Sequence, residues 1–274
     1  MSITLNIIGG GRAAQTLARL WQQQAVLSIG AVCNRSDESA RRACDFIGAG
    51  TPCVRISDMP AAELWLLGVP DNAIAPTAQA LADSGRVRVG NGVFHLSGFT
   101  SSAALAPLQV AGASVASVHP VMSFARPERA VTAFAGTLCG VEGDEALVGR
   151  LQELFEMIGG ECFALSADQK PLYHAGSVFA SNFLVVLQEV ARTAYCEAGV
   201  APEVADRLSI ALARGALDNV AALGPAQALT GPAARGERDT VALQHRAVSE
   251  WDEEAGRAYR AMSDIAFRLA GHRS

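Results

Sequence analysis

Short apolar runs alternate with segments of helical spacing through the first half of the chain. Residues 3–8 form an apolar strand, and 12–24 carry the 3.6-residue repeat of a helix. The series continues with a strand at 28–33, a helix at 37–47 and a short strand at 52–55. Residues 64–69 are apolar almost without interruption, the mark of a strand buried on both faces. A helix at 71–83 follows, then a strand at 87–89 or 93–96, a helix at 101–111 and a strand at 114–118. A further strand is expected at 138–141, and Leu151, Leu154, Phe155 and Ile158 mark one face of the next helix. Strands alternating with helices predict a parallel, doubly wound sheet.

After about residue 166 the β-rich runs stop. Helices are expected at 171–198, 203–222, 239–249 and 251–270. The pattern therefore predicts an α/β domain over 1–165 followed by an all-α domain over 166–274. Val178, Phe179 and the run from Phe183 to Leu187 make the first of these helices apolar around most of its circumference. Such a helix needs partners on several sides. A second copy of the chain meets that need, so a homodimer formed through the helical domain is expected. The alternative is a monomer whose α/β domain covers the face.

Composition narrows the functions. The formal net charge of -5 supplies no basic excess for nucleic acid or an acidic membrane surface. Lys170 is the only lysine among 22 basic residues, which a coding bias toward arginine explains. The six cysteines are dispersed and the five histidines lack metal-site spacing, so neither a disulfide frame nor a metal is indicated. No basic leader precedes the first strand, and no apolar stretch reads as a membrane span. A soluble, cytoplasmic protein is expected.

The chemistry begins at Gly9-Gly10-Gly11-Arg12-Ala13-Ala14, which follows a strand and opens a helix. That is the setting of a dinucleotide fingerprint: Gly9 for the tight turn, Gly11 for approach to the pyrophosphate, Ala14 for close helix–sheet packing. The helix N-terminus adds free N–H groups and a positive dipole. The first domain is thus Rossmann-like. At the end of the second strand an NAD protein usually carries an acidic residue for the ribose. Here Asn34, Arg35 and Ser36 stand instead, and can hold a 2′-phosphate, which favours NADP. Val69-Pro70-Asp71 closes the fourth strand where backbone lines the nicotinamide ribose, although Asp71 is equally read as a helix cap.

His95-Leu96-Ser97-Gly98 and His119-Pro120 end the next two strands and open toward the same cleft. A histidine there can move the proton that accompanies hydride transfer, with His119 preferred over His95; a structural histidine is the alternative. At helical spacing His174, Ser177, Ser181 and Asn182 share a polar stripe that faces either a substrate or the other domain. Lys170, one turn earlier, reads as a solvated helix-start residue. In the loop 228–240, Arg235 and Arg238 can grip a carboxylate or phosphate, and a rigid structural turn is the rival reading.

The runs at 9–14, 95–98, 119–124, 173–182 and 228–240 together resemble a bacterial family. Its members pair a Rossmann-like NADP-binding domain with a helical C-terminal domain of unknown function. The resemblance spans nearly the whole chain, with Glu237 standing where the family more often has Asp. More distantly the layout is similar to pyrroline-5-carboxylate reductase, prephenate dehydrogenase and deazaflavin-dependent NADP reductases. The prephenate dehydrogenase likeness implies that His119 acts on the substrate hydroxyl with help from Ser97. The pyrroline-5-carboxylate reductase likeness implies a carboxylate-binding role for 229–240 and a dimer through the helical domain.

These readings converge on an NADP-dependent oxidoreductase acting on a small anionic substrate between the domains. His119 handles the proton, Ser97 and His174 support it, Asn182 orients the substrate, and Ser181, Arg235 and Arg238 bind it. Two rivals stand beside it. One is a non-catalytic NADP-binding sensor whose strand-end histidines are buried structural groups; the other is a deazaflavin-dependent NADP reductase.

Overall fold

The computed structural model describes residues 3–272, which divide into two compact units between Ser177 and Val178. The first unit runs β1 (Thr4–Ile8), α1 (Arg12–Gln23), β2 (Ser28–Cys33), α2 (Asp37–Ile47), β3 (Thr51–Cys53) and β4 (Leu64–Leu67). It continues with α3 (Asp71–Asp83), β5 (Gly92–His95), α4 (Ala106–Val110), β6 (Ser114–Pro120) and α5 (Pro127–Ala133). It ends with β7 (Leu138–Gly143), α6 (Glu145–Glu156), β8 (Glu161–Ala164) and α7 (Lys170–Ser177). One eight-stranded sheet results, in the order β3-β2-β1-β4-β5-β6-β7-β8. The expected Rossmann-like α/β class is the observed one.

Period-two alternation explains how the sheet is covered on both sides. In β4, Leu64 and Leu66 enter one apolar cluster while Trp65 and Leu67 enter the other, and all four are fully buried. The same alternation places Phe94, Ala116 and Val118 in the first cluster and Val93 and Val115 in the second. His95, Ser117 and His119 therefore project from the second face as a polar row.

The structure corrects the sequence pattern in several places. The sheet is not wholly parallel, because β7 runs antiparallel to β6. Cys139, near the start of β7, pairs with Pro120 at the end of β6, so α5 turns over the carboxyl edge and never crosses back. Helix α5 and the edge strand β8 went unforeseen: β8 has only four residues, half-buried or exposed. The expected helix 101–111 is a 3-10 turn, Ser102–Leu105, leading into the short α4.

The second unit is all-α: α8 (Phe183–Glu197), α9 (Pro202–Leu223), α10 (Pro225–Ala228), α11 (Arg238–Trp251) and α12 (Glu253–Leu269). The long helix expected at 171–198 is interrupted. A π-helical turn covers Val178–Asn182, between α7 and α8. Its i→i+5 bonding adds a residue per turn, so a 3.6-residue stripe does not carry through it. Among the described residues no helix is long and apolar enough to cross a membrane.

Candidate functional site

The glycine turn after β1 is built for close backbone approach. Gly9 has φ +88°, where a side chain is strained, and a Cβ there would lie 2.6 Å from Val69. Its N–H donates to the Cys33 carbonyl at 2.8 Å, closing the turn onto β2. Gly11 is the N-cap of α1 and brings no side-chain cap, so the first-turn N–H groups stay available to an anion. Ala14 is buried against Gly68, a residue the sequence reading passed over. A Cβ on Gly68 would fall 2.3 Å from the Gly9 carbonyl oxygen and 2.5 Å from Ala14 Cβ. The turn therefore depends on a facing glycine at the end of β4, signalled in sequence by the Gly that breaks the apolar run Leu64–Leu67.

A cavity of about 790 Å³ opens from this turn, lined by Gly9–Gly11, Cys33–Arg35, Val54, Ile56 and Gly68–Pro70. Its residues fit a dinucleotide: glycine backbone for the pyrophosphate, apolar Val54 and Ile56 for an adenine ring, and Arg35 at the rim. Arg35 is exposed and enters no ion pair found among the described residues, whereas Arg41, Arg42 and Arg55 are held by Asp37, Glu38 and Asp58. Arg12, also exposed, opens α1, and half-buried Ala13 follows it.

Asn34 and Ser36 do other work than the expected phosphate contact. The Asn34 amide accepts from the Gly10 N–H at 2.6 Å and donates to the Ser39 carbonyl at 2.9 Å. Both ends are used in shaping the turn. Ser36 is the N-cap of α2, accepting from the Ser39 N–H at 3.3 Å. Asp71 is not a cap, since Pro70 occupies the N-cap of α3 and Asp71 lies exposed in its first turn.

The polar row lies farther along the same carboxyl edge. Register pairs His95 with Ser117 and Ser117 with Glu142; one step on, His119 pairs with Gly140 and Gly140 with Phe163. Helix α7 covers these two rows. Lys170, Tyr173 and His174 stand at i, i+3 and i+4, hence on one helix face. Leu165 fills the space that Gly140 leaves by lacking a side chain, with the Tyr173 hydroxyl at its margin. The Tyr173 ring stands between His119 (ring centroids 5.6 Å apart) and Phe163 (6.1 Å).

His119 Nδ1 lies 2.8 Å from the Tyr173 hydroxyl, and Gly98 lies against its ring. Burial pushes the imidazole down to about 4, helped by the neighbouring His174 and Lys170 and opposed by Asp71. It is uncharged at neutral pH, and burial likewise raises the Tyr173 phenol. His174 sits 5.8 Å from His119 between ring centroids, and its Nδ1 is buried without a partner among the described residues.

His95 proves structural. It is fully buried, its Nδ1 accepts from the Ser97 N–H and its Nε2 faces the Ser101 carbonyl, both at 3.2 Å. The Ser97 hydroxyl is taken up by its own loop, accepting from Phe99 and Thr100 N–H at 3.1 and 2.8 Å. Its carbonyl, rather than the expected hydroxyl, connects it to the rest of the site.

Lys170 overturns its expectation outright. The only lysine is 0% exposed. Its Nζ donates to the Ser97 carbonyl at 2.8 Å, to Ser117 Oγ, and to Glu142 Oε1 at 3.4 Å. Glu142 also accepts from the N–H and hydroxyl of Ser102 at 2.8 and 2.7 Å. Sequence offered one signal, a lone lysine in an arginine-rich chain, which the coding-bias reading discarded.

In the second unit Ser181 and Asn182 lie exposed in the π-helical turn. Arg235 is clasped by Glu237 through two contacts, at 2.5 and 3.1 Å. Arg238 opens α11 with its guanidinium 4.8 Å from the centre of the Phe267 ring. The Ala234 carbonyl meets His272 Nε2 at 3.1 Å. The loop is thus braced, and its first arginine is paired with an exposed carboxylate.

Comparison with known proteins divides the chain earlier, at the start of β7 inside the first unit. Residues 1–120 match a Rossmann-like domain, and residues 137–265 match a domain of unknown function, DUF2520. No curated protein matches the sequence. The crystal structure of protein TM1727 from Thermotoga maritima is similar at 27% identity and a TM-score of 0.76, over 97% of this chain and 98% of that one. BF3122 from Bacteroides fragilis, provisionally described as an NADP oxidoreductase, is similar at 20% identity and a TM-score of 0.77, over 97% and 98%. A pyrroline-5-carboxylate reductase from Coxiella burnetii shares the fold at 18% identity and a TM-score of 0.61, over the whole of both chains.

Proposed function

We propose that this chain, a Rossmann-like domain joined to a DUF2520 domain, is an NADP-dependent oxidoreductase that reduces or forms a carbonyl or imine group. The observation that carries the reading is a shared edge. The dinucleotide cavity and the His119–Tyr173 pair both open from the carboxyl ends of parallel strands, β1, β2 and β4 for one and β6 for the other. The similarity to the Bacteroides fragilis protein described as an NADP oxidoreductase, and to pyrroline-5-carboxylate reductase, supports the same class.

In this reading Gly9, Gly10, Gly11, Arg12, Ala13 and Ala14 hold the pyrophosphate, Arg35 pairs with the 2′-phosphate, and Val69, Pro70 and Asp71 border the nicotinamide ribose. A bound nicotinamide supplies or takes the hydride. The chain's own task is the proton. Tyr173, kept protonated by burial, donates to His119 Nδ1, which sets the ring proton on Nε2 facing the reacting group. His174 lies beside it. Arg235, matched by Glu237, gives no reason to require an anionic substrate. The second unit forms the homodimer, and Ser181 and Asn182 are its candidate substrate residues.

Binding and turnover test this together. NADPH should bind more tightly than NADH, and Arg35→Ala should weaken NADPH by about tenfold or more while changing NADH little. His119→Asn should keep NADPH affinity and lose turnover against a panel of carbonyls and cyclic imines. Equal or tighter NADH binding would sink the cofactor assignment. NADPH binding without turnover by the wild-type protein would favour the sensor.

A further inference from the structure

The buried lysine lies beneath the histidine site and has no part in the proposed reaction. Its ammonium meets three acceptors on three separate stretches of chain: the Ser97 carbonyl in the loop after β5, Ser117 on β6 and Glu142 on β7. Ser117 and His119 are two residues apart on one strand and so point to the same face. The loop held through Ser97 carries Gly98 against the His119 ring. Glu142, through Ser102, holds the other end of that loop. One ammonium with three tetrahedral donors fits three convergent acceptors, a geometry the planar fork of arginine cannot copy. That accounts for a lysine here in a chain that elsewhere uses arginine.

We propose that Lys170 is a positioning residue of the His119 site, its ammonium tying the 97–102 loop to β6 and β7 beneath α7. The proposal rests on the reading of His119 as the proton-handling group, because only then does the placement of its ring matter. The charged and titratable groups around the cluster are Glu142 on β7, His95 on β5, His119 on β6, Asp71 on α3, and Tyr173 and His174 on α7. Glu142 neutralises the buried ammonium locally. The net effect at His119 is still that of a cation, which disfavours protonation of the ring. Lys170 thus acts on His119 twice, through the loop that packs on it and through charge.

The test uses the full-length protein without cofactor or substrate, so its outcome is independent of whether the oxidoreductase reading survives. Histidine-labelled protein is titrated by NMR, with the His119 signal assigned from His119→Asn, and amide exchange is followed at Phe99, Thr100 and Ser102. Lys170→Met removes the cation but leaves Glu142 buried and unpaired. Lys170→Met with Glu142→Gln removes both charges and keeps the volume. In either variant the His119 midpoint should rise by about half to one pH unit, and the loop amides should exchange about tenfold faster. Ser117→Ala removes one acceptor without touching a charge. It should speed the same amides about threefold, and gives the reading if neither lysine variant folds. Folded variants with an unchanged His119 midpoint and unchanged loop exchange would overturn the proposal and leave Lys170 as core filling.

Discussion

Single atoms decide the geometry around His119. A Cβ built on Gly98 would lie 2.7 Å from Cε1 of the imidazole and 2.8 Å from both ring nitrogens. Relieving that overlap means moving the ring, which would disturb its Nδ1 contact with the Tyr173 hydroxyl. Gly98→Ala should therefore displace the imidazole, lowering turnover by about 100-fold while leaving NADPH affinity within about twofold. Unchanged turnover would show that the ring does not need its present seat. Sequence named Gly9, Gly11, Ala14 and His119, since a strand-to-helix glycine pattern and a strand-end histidine are local signals. It gave no role to Gly68, Gly98 and Gly140, whose value lies in what each leaves empty for a residue far away in the chain.

At the scale of elements, α7 is a three-residue key: Lys170, Tyr173 and His174 fall on one face and meet two rows of the sheet. The sequence reading extended the stripe to Ser181 and Asn182, and the π-helical turn breaks that register. Helices α8 and α9 show a different feature. Val185 is 70% exposed and Leu212 62%, and Phe183, Val186, Leu187, Leu217 and Leu223 are exposed as well. Apolar surface on this scale drives association. Wild-type protein should run as a dimer in light-scattering chromatography, and Val185→Asp with Leu212→Asp should shift it toward monomer. A wild-type monomer at micromolar concentration would refute the homodimer.

For the whole molecule, two buried neutral histidines couple stability to pH. Burial first, and then the Lys170 charge among other causes, hold His95 and His119 at about 4, below the ordinary 6.5. Between those values the unfolded chain binds more protons than the folded one, so stability must fall as pH drops from 6.5 toward 4. The loss is roughly 2 kcal/mol per histidine by pH 5, and nothing is lost from this source above pH 7. Urea unfolding midpoints measured from pH 7 to pH 5 should show the decline, and His95→Gln with His119→Asn should flatten it. A flat wild-type profile would contradict the buried, neutral state of both rings.

What the sequence determined by itself is whatever a window of a dozen residues can express. The alternation of strands and helices, the glycine turn on α1, and the switch to an all-helical second half all belong to that range, because periodicity and turn chemistry act between near neighbours. Tertiary structure alone decided the reversed direction of β7 and the assembly of the second polar face. Lys170 reaches 28 residues back to Glu142, 53 to Ser117 and 73 to Ser97. A lysine beside a proline at a helix start reads as solvated until the sheet beneath it is known. The three acceptors that compensate its burial come together only when β5, β6 and β7 lie side by side.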